Sequence, residues 1–287
     1  EDGIRDDLVT GVQTCALPIW TNKQRVAVEE MARRSSTTAS TVMLSLWHLL
    51  LHKYSGQDEI RIGIPVAARS RLETQDMQGC FINNLVIPAN FDVNSTFIDL
   101  LNQVKVFTQQ ALEHQDLPFE VLVESLGITG NLRHHPLYQT SFNFQHIEKS
   151  IVDKWGSLNV EPFDPGVIAA QLELSLDIQA FSDGEWQGFI NYAAPIFDED
   201  YIQAVFKHYV KLFEQIANSP DTKISNMVLL DSDEINQIAS FNATEKNLGS
   251  LLPPPVALQL QAQRTPDAPM SLPPASHKWS SSLPRKS

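Results

Sequence analysis

The chain has few cysteines, and this scarcity excludes several classes of site. Cys15 and Cys80 are the only two among 287 residues, too few for a disulfide framework or a structural zinc site. The metal-binding spacing HExxH and the redox spacing CxxC are also missing. We therefore expect a chain from a reducing compartment, predict a cytoplasmic protein, and expect it to bind no metal.

Positive charge and long hydrophobic runs are scarce as well. The chain has 21 Lys and Arg against 34 Asp and Glu, and basic residues cluster only in the last few positions. Unspecific binding to nucleic acids or anionic lipids requires clustered Lys and Arg. The longest apolar run, residues 42–51, is interrupted by polar residues and is far shorter than the roughly 20 residues of a membrane span. We expect neither a nucleic acid nor a membrane as partner.

The remaining composition is that of a globular protein with a sizeable core, since 43% of the residues are hydrophobic and 19% are charged. The clearest pattern lies between Leu172 and Tyr192. Apolar residues alternate with polar ones from Leu172 to Ala180, which is typical of a half-buried strand. A turn at residues 182–184 follows, and the alternation resumes at Trp186, so the stretch predicts a β-hairpin.

Helical spacing of apolar residues and capping residues locate the other elements. Helices are predicted over about 21–34, 40–54, 96–114, 116–126, 198–218 and 233–240. Strands are predicted over 60–64, 80–87, 138–145 and 158–163. The order shows no regular alternation of strand and helix, so we predict an α/β (α+β) fold in which helices pack against a mixed β-sheet.

The two ends of the chain differ from its middle. Residues 1–20 show no periodicity, and we interpret them as a non-native or out-of-frame leader. Residues 21–247 are predicted to form the folded domain. Residues 248–287 are predicted to contain a linker and a disordered or frame-shifted tail, because their Ser- and Pro-rich composition cannot bury much apolar surface.

Several motifs resemble one family, the condensation domain of nonribosomal peptide synthetases, in its C-terminal half. The most specific is the stretch from His114 to Glu124, which matches the family pattern HQDxPFExLVE almost residue for residue. The other matching stretches are Tyr54 to Asp58 (YSGQxD), Gly63 to Arg69 (GxPxxxR), Gln78 to Asn84 (GxFxN, with Cys80 where Phe is usual), Pro136 to Gln139 (PLFQ) and Asn242 to Thr244 (NAT).

The resemblance implies one lobe of a chloramphenicol-acetyltransferase-like fold, in which two lobes enclose a tunnel. Carrier proteins would bring thioester substrates on 4'-phosphopantetheine arms, and the parent enzyme would join them through an amide bond. No cofactor would bind the chain directly. The family's catalytic motif, HHxxxDG, belongs to an N-terminal lobe that this sequence lacks, so we expect the fragment alone to be inactive.

The resemblance also implies partners. These are the peptidyl or aminoacyl carrier protein domains, the missing N-terminal lobe, and a downstream adenylation domain, because residues 261–268 look like the opening of such a domain. Two alternatives remain open. The chain could be a lobe that docks carrier proteins without chemistry, or a relative of the epimerization domains, although the adenylation-like segment argues against the second.

Two residues are candidates for supporting the substrate tunnel or the catalytic loop. In the resemblance, Arg69 ends the GxPxxxR motif and could form an ion pair with the aspartate of HHxxxDG, since a planar guanidinium suits a carboxylate. The alternative is a surface arginine in a polar loop. Asn83 could line the tunnel, or it could serve turn chemistry at the end of a strand.

Other candidates have simpler explanations. His134 and His135 do not begin the HHxxxDG motif, because Gln139 and Thr140 stand where it requires Asp and Gly, and we expect exposed loop histidines. Asp116 and Glu120 could form an acid/base pair, but helix capping explains Asp116 better. Cys80 has no nearby base and is predicted to be a small buried residue. We therefore assign no catalytic residue.

Overall fold

The computed structural model describes residues 12–17, 20–69, 71–92, 94–128, 135–148, 154–155, 158–159, 172–244 and 254–266. The chain divides into two units, Glu1–Leu230 and Asp231–Ser287. The first unit contains a mixed sheet with helices packed against it, which confirms the predicted α/β class. The second unit contains two helices among its described residues.

Six strands form the main sheet, in the order β1-β8-β7-β4-β2-β3. Its strands are β1 (Val12–Leu17), β2 (Glu59–Val66), β3 (Asn83–Asn90), β4 (Thr140–Ile147), β7 (Leu174–Phe181) and β8 (Trp186–Ala193). Strand β4 runs parallel to β2 and to β7, and the other pairs are antiparallel. A separate two-stranded sheet joins β5 (Lys154–Trp155) to β6 (Leu158–Asn159).

The predicted hairpin is confirmed as β7 and β8. Leu174 pairs with Tyr192 at the open end, and Ala180 pairs with Trp186 next to the turn. Burial alternates along both strands, as the sequence pattern requires. The buried side chains of this hairpin join the hydrophobic core together with the helices.

Helices of the first unit are α1 (Asn22–Arg34), α2 (Ala39–Ser55), α3 (Leu72–Gln75), α4 (Phe97–Glu113), α5 (Phe119–Ser125) and α6 (Glu199–Asn218). A short 3-10 turn, Ile224–Asn226, follows α6. The second unit has α7 (Ser232–Asn242) and α8 (Pro254–Arg264). The boundaries of α1, α2, α4 and α6 agree with the predicted helices to within one or two residues.

Helix α2 lies in the middle of the core. Ten consecutive residues, from Thr41 to Leu50, are buried, as expected for a helix that is covered on all sides. It packs against α1, α4 and α6 and against the sheet. Gly56 ends the helix in the left-handed conformation, with φ of 67°, which glycine adopts without strain.

Aromatic side chains fill the space between α2 and α6. Trp47 meets Tyr209 edge to face at 5.9 Å between ring centroids, and the indole nitrogen of Trp47 donates a hydrogen bond to Thr140 Oγ1. The Tyr209 hydroxyl donates to the carbonyl oxygen of Met43 at 2.9 Å. The polar atoms of these buried rings are therefore satisfied inside the core.

The start of the chain contributes a strand to the sheet and a residue to the core, neither of which is predicted from the sequence. Strand β1 pairs with β8 along six residues, from Val12 to Leu17. Trp20 is buried and packs edge to face against Phe206, Tyr209 and Phe213. The boundary drawn after residue 20 thus leaves out a strand and a core residue, while the interpretation of these residues as a non-native leader stays a prediction.

Several other boundaries differ from the prediction. Pro65 lies inside β2 instead of closing it, and β3 begins at Asn83 instead of Cys80. Asp116 is not a helix cap, because α5 begins after Pro118. The helix α8 was not predicted. The predicted strand over 158–163 is present as β6 at its first two residues, and the rest lies outside the described residues.

Candidate functional site

The loop that follows β2 is organised by Arg69. The chain turns sharply just before it, because Ala68 has a positive φ of 45°. The guanidinium group of Arg69 then donates hydrogen bonds to the carbonyl oxygens of Thr74, Met77 (2.7 Å) and Gly79 (3.1 Å). One cation thereby holds the backbone of the loop at three points.

The same guanidinium lies over an aromatic ring. Its central carbon is 4.3 Å from the centroid of the Phe81 ring, a cation–π distance. No carboxylate of the described residues pairs with Arg69. The bonds to the loop leave part of the guanidinium fork unused, so Arg69 still has donors for a further acceptor.

Asn83, the first residue of β3, connects that strand to the turn between α4 and α5. Its side-chain nitrogen donates to the carbonyl oxygens of Gln115 (2.8 Å) and Leu117 (2.7 Å). Its side-chain oxygen accepts from the backbone nitrogen of Phe119 at 3.0 Å. The last bond satisfies a free amide at the start of α5, where the preceding residue, Pro118, has no capping side chain of its own. Both amide hydrogens of Asn83 are thus used within the chain.

Arg69 and Asn83 therefore belong to one continuous set of contacts, which we call the loop network. It consists of these two side chains and the backbone that they bind, residues 74–79 and 115–119. Arg69 fixes Gly79 and contacts Phe81, and Asn83 follows two residues later. The GxFxN-like and HQDxPFE-like stretches, more than thirty residues apart in the chain, are held together by Asn83.

A second close approach joins β2 to the segment before β4. Tyr138 is buried, and its ring lies directly over Gly63. A Cβ atom at Gly63 would stand 2.3 Å from a carbon of that ring, so only glycine fits without displacement. Burial raises the pKa of the Tyr138 hydroxyl to about 12.

Metal ligation and membrane insertion find no support in the described part of the chain. No three side chains of His, Cys, Asp or Glu there come together in a way that could hold a metal ion. None of the described helices combines the length and apolar character that are needed to cross a lipid bilayer.

Comparison with known families decides the identity. The family described as Condensation domain matches residues 11–239, which is most of the chain and includes the loop network. The chain belongs to the condensation-domain family.

Curated relatives are synthases that are much longer than this chain. The chain is 29% identical over 241 residues to gramicidin S synthase 2 of Aneurinibacillus migulanus, which covers 84% of this chain and 5% of that enzyme. It is 32% identical over 216 residues to surfactin synthase subunit 1 of Bacillus subtilis strain 168, covering 75% of this chain and 6% of the relative. This condensation-domain chain thus spans a small part of the curated relatives it matches.

Solved structures share the fold. A holo four-domain nonribosomal peptide synthetase bound to AMP and glycine aligns with a TM-score of 0.73 at 18% identity, over 90% of this chain and 20% of that chain. The condensation domain from the monacolin K polyketide synthase aligns with a TM-score of 0.64 at 19% identity, over 75% of this chain and 49% of that chain. The described fold corresponds to about half of an isolated condensation domain.

Two sequence expectations about this condensation domain are wrong in detail. Cys80 is exposed, because the loop that carries it is held outside β3 by Arg69. His135 is half-buried, and its ring lies tilted against that of Tyr138, at 3.9 Å, and that of Phe119, at 5.0 Å between centroids. This burial lowers the pKa of His135. His134 lies outside the described residues, so its predicted exposure stays a prediction.

Helix α5 also differs from its prediction. Val121 and Leu126 lie within the predicted helix but are exposed, and Phe119 is the buried residue of this helix. The contact between Tyr138 and Gly63 was missed, although both residues lie in motifs that the sequence shares with the family. Only the pairing of β2 with β4 brings them together, and that pairing has no local sequence signal.

Proposed function

We propose that this chain is the C-terminal lobe of a condensation domain whose parent synthetase joins two carrier-bound substrates through an amide bond. The proposal is carried by the family match over residues 11–239 together with coverage of about half of a solved condensation domain. The substrates would be aminoacyl or peptidyl thioesters on the 4'-phosphopantetheine arms of carrier protein domains.

The reaction needs no bound cofactor in this lobe. The amine nitrogen of the acceptor attacks the carbonyl carbon of the donor thioester, and the carbon–sulfur bond breaks. The amine loses a proton and the departing sulfur gains one, leaving an amide on the acceptor arm and a free thiol on the donor arm. The histidine assigned to this proton handling belongs to HHxxxDG, a motif that the sequence does not contain.

Arg69 would act as a positioning residue. Its side chain is fixed by three carbonyl oxygens and the Phe81 ring. Its conformation is therefore preorganised for contact with a second lobe. The unused part of its guanidinium fork could then bind the aspartate of HHxxxDG and hold the catalytic loop. Asn83 would support the site through the turn that it ties to β3, rather than by touching substrate.

Exposed apolar side chains around the loop network support a missing partner. Met77, Ile82, Leu117 and Val121 are between 46% and 68% exposed. Arg69 binds the backbone of Met77, Asn83 binds that of Leu117, and Ile82 precedes Asn83. Exposed apolar groups concentrated at one place are typical of an interaction surface, which is what an absent lobe would cover.

Reconstitution tests the proposal. The chain alone should form no dipeptidyl thioester from two loaded carrier proteins, and adding an N-terminal condensation lobe that carries HHxxxDG should produce it. Arg69→Ala should then lower kcat by about 100-fold, because a misplaced catalytic loop loses its geometry. Arg69→Lys should recover little, since an ammonium cannot reproduce the planar fork. The exposed Arg71→Ala serves as the matched control and should be neutral.

Two outcomes would contradict the proposal. Turnover by the chain without an added lobe would mean that its own residues perform the chemistry. Binding of carrier proteins without turnover, after a lobe known to be competent has been added, would favour the alternative of a docking lobe. In both cases the carrier-binding affinity is measured alongside kcat, so that a failure to assemble is distinguished from a failure to react.

A further inference from the structure

A cavity of about 490 Å³ lies beside the carboxyl end of β2. Its walls come from the turn between α1 and α2, from α4, and from the neighbouring stretches Ile64 to Val66 and Phe142 to Phe144. Strand β2 pairs with β4 in parallel at one residue pair, Gly63 with Ser141, which lies just before these stretches. The size is that of a ligand site rather than of a packing defect.

The charge of this cavity is opposite to that of the chain. Its described lining contains Lys105 and no Asp or Glu, although acidic residues outnumber basic ones by 34 to 21 in the sequence. The larger cavity, of about 880 Å³, which is lined by the start of β2, includes the carboxylates of Asp58, Glu59 and Glu173 instead. The smaller cavity is therefore the one suited to an anion.

The ammonium group of Lys105 has hydrogen-bond donors that are not used within the described chain. Its ammonium group donates to the carbonyl oxygen of Ser35 at 3.2 Å and forms no ion pair with any carboxylate of the described residues. An ammonium group has further hydrogens after this one bond. A positive charge held in a cavity without a counter-ion attracts an anion more strongly than a fully exposed one.

Hydroxyl groups line the same cavity. The side chains of Ser36, Thr37 and Ser40 make no hydrogen bond with another described residue. Thr108 also lines it, and its Oγ1 atom is buried and has no hydrogen-bond partner in the described chain. Because this atom is closed to the cavity, the hydroxyl groups that a bound anion can reach are those of Ser36, Thr37 and Ser40. The first turn of α2 adds backbone amides and the positive end of a helix dipole.

We propose that this cavity binds an oxyanion of the phosphate class, with Lys105 as counter-ion and the hydroxyl groups of Ser36, Thr37 and Ser40 as hydrogen-bond donors. A lysine, hydroxyl groups and a helix start together suit phosphate oxygens. The anion could be the phosphate of a phosphopantetheine arm, which rests on the proposed function, or free inorganic phosphate. Val66, at the cavity wall, lies three residues before Arg69, so a phosphate here would sit close to the loop network.

Calorimetric titration of the complete chain at low ionic strength tests the inference with three probes: inorganic phosphate, 4'-phosphopantetheine and pantetheine. Both phosphorylated probes should bind, and pantetheine should not. Equal affinities would identify the oxyanion alone as the ligand, and tighter binding of phosphopantetheine would identify the arm. Lys105→Gln should weaken the binding of both phosphorylated probes about tenfold, because a charge-assisted hydrogen bond is lost.

Matched variants separate binding from folding. Lys211→Gln is the control, because the Lys211 ammonium also donates to a backbone carbonyl, that of Leu230, but lies outside the cavity. It should leave phosphate binding unchanged. Ser40→Ala should weaken binding about threefold while the stability of the chain stays unchanged, since the Ser40 hydroxyl lines the cavity and makes no hydrogen bond with another described residue.

The inference is overturned if neither phosphorylated probe binds, if pantetheine binds as well as phosphopantetheine, or if Lys105→Gln and Ser40→Ala leave the phosphate affinity unchanged. These results would not affect the condensation proposal, which is tested by amide formation with an added lobe. Conversely, if the reconstitution fails to form the amide, the phosphate binding that depends on Lys105 should still be observed.

Discussion

The core around α2 and the loop network are stabilised by different interactions. In the core, ten consecutive residues of α2 are buried among apolar and aromatic side chains. In the loop network, Arg69 and Asn83 bind backbone atoms, and apolar side chains nearby remain exposed. The core is complete within the chain, because it buries its own apolar surface. The loop network has a defined geometry but depends on hydrogen bonds, and it leaves a surface for something else to cover.

The largest effect should come from shortening a leucine in the core. Leu49 is fully buried in α2, so Leu49→Ala should lower the free energy of unfolding by about 2–5 kcal/mol through lost burial and a cavity. Alanine is a good helix former, so the loss reports packing rather than helix propensity. Urea unfolding followed by circular dichroism measures it.

Leu72, which lies next to the loop network and outside the core, provides the matched control. It belongs to α3, in the loop that Arg69 holds, and is 79% exposed. Leu72→Ala should change the free energy of unfolding by less than about 0.5 kcal/mol. Equal losses at both positions would mean that the loop is buried in solution and that the contrast between core and loop network does not exist.

The sequence predicts the core better than the loop network, for a physical reason. The helical spacing of Leu46, Leu49 and Leu50 predicts which face of α2 is buried. Strict alternation does the same for the two strands of the hairpin. Arg69, by contrast, binds carbonyl oxygens, which every residue has, so no side-chain pattern marks its partners. The acceptors of Asn83 lie more than thirty residues away in the chain. The family resemblance identifies these two residues as candidates, but their contacts depend on how distant segments meet in the fold.

A second effect concerns a polar group inside the core. His48 is fully buried, and its ring nitrogens lie 2.9 Å from the Leu44 carbonyl oxygen and 3.0 Å from that of Ile87. Burial lowers its pKa to about 4, although the two carbonyl oxygens oppose this shift, because a neutral ring donates to only one of them and a charged ring could donate to both. Desolvation dominates because a charged ring would have to leave water entirely.

Stability should therefore fall as the solution is acidified. Between pH 6.5 and about 4, the unfolded chain binds a proton at His48 that the folded chain does not. The contribution of this residue decreases as pH falls through that window, by about 3 kcal/mol in total. Because carboxylates titrate in part of the same window, the quantity to measure is the difference between wild type and His48→Gln in urea unfolding at several pH values.

Nuclear magnetic resonance gives a second readout that does not depend on the variant folding, since the His48 ring should stay neutral in the folded chain at pH 5. A ring that becomes protonated near pH 6.5 without unfolding would show that water reaches this part of the core.

A smaller loss of global stability than at Leu49 is expected in the loop network, at Asn83. Asn83→Ala removes two donors and one acceptor and leaves the Phe119 amide at the start of α5 without its partner. We expect a loss of about 1–3 kcal/mol in the free energy of unfolding, since partly exposed groups can turn to water. Amide hydrogens of residues 114–119 should exchange faster, while those of α2 keep their protection.

Asn84 gives a matched control at the next position. It is also an asparagine in β3, and its side chain makes no hydrogen bond with another described residue. Asn84→Ala should leave both the stability and the exchange of the α4–α5 turn unchanged. If the two variants behave alike, the turn is held by its own backbone and by Phe119, and Asn83 is free to face a substrate. If only Asn83→Ala loosens the turn, its side chain is committed to structure, and any loss of amide formation in that variant follows from the displaced turn.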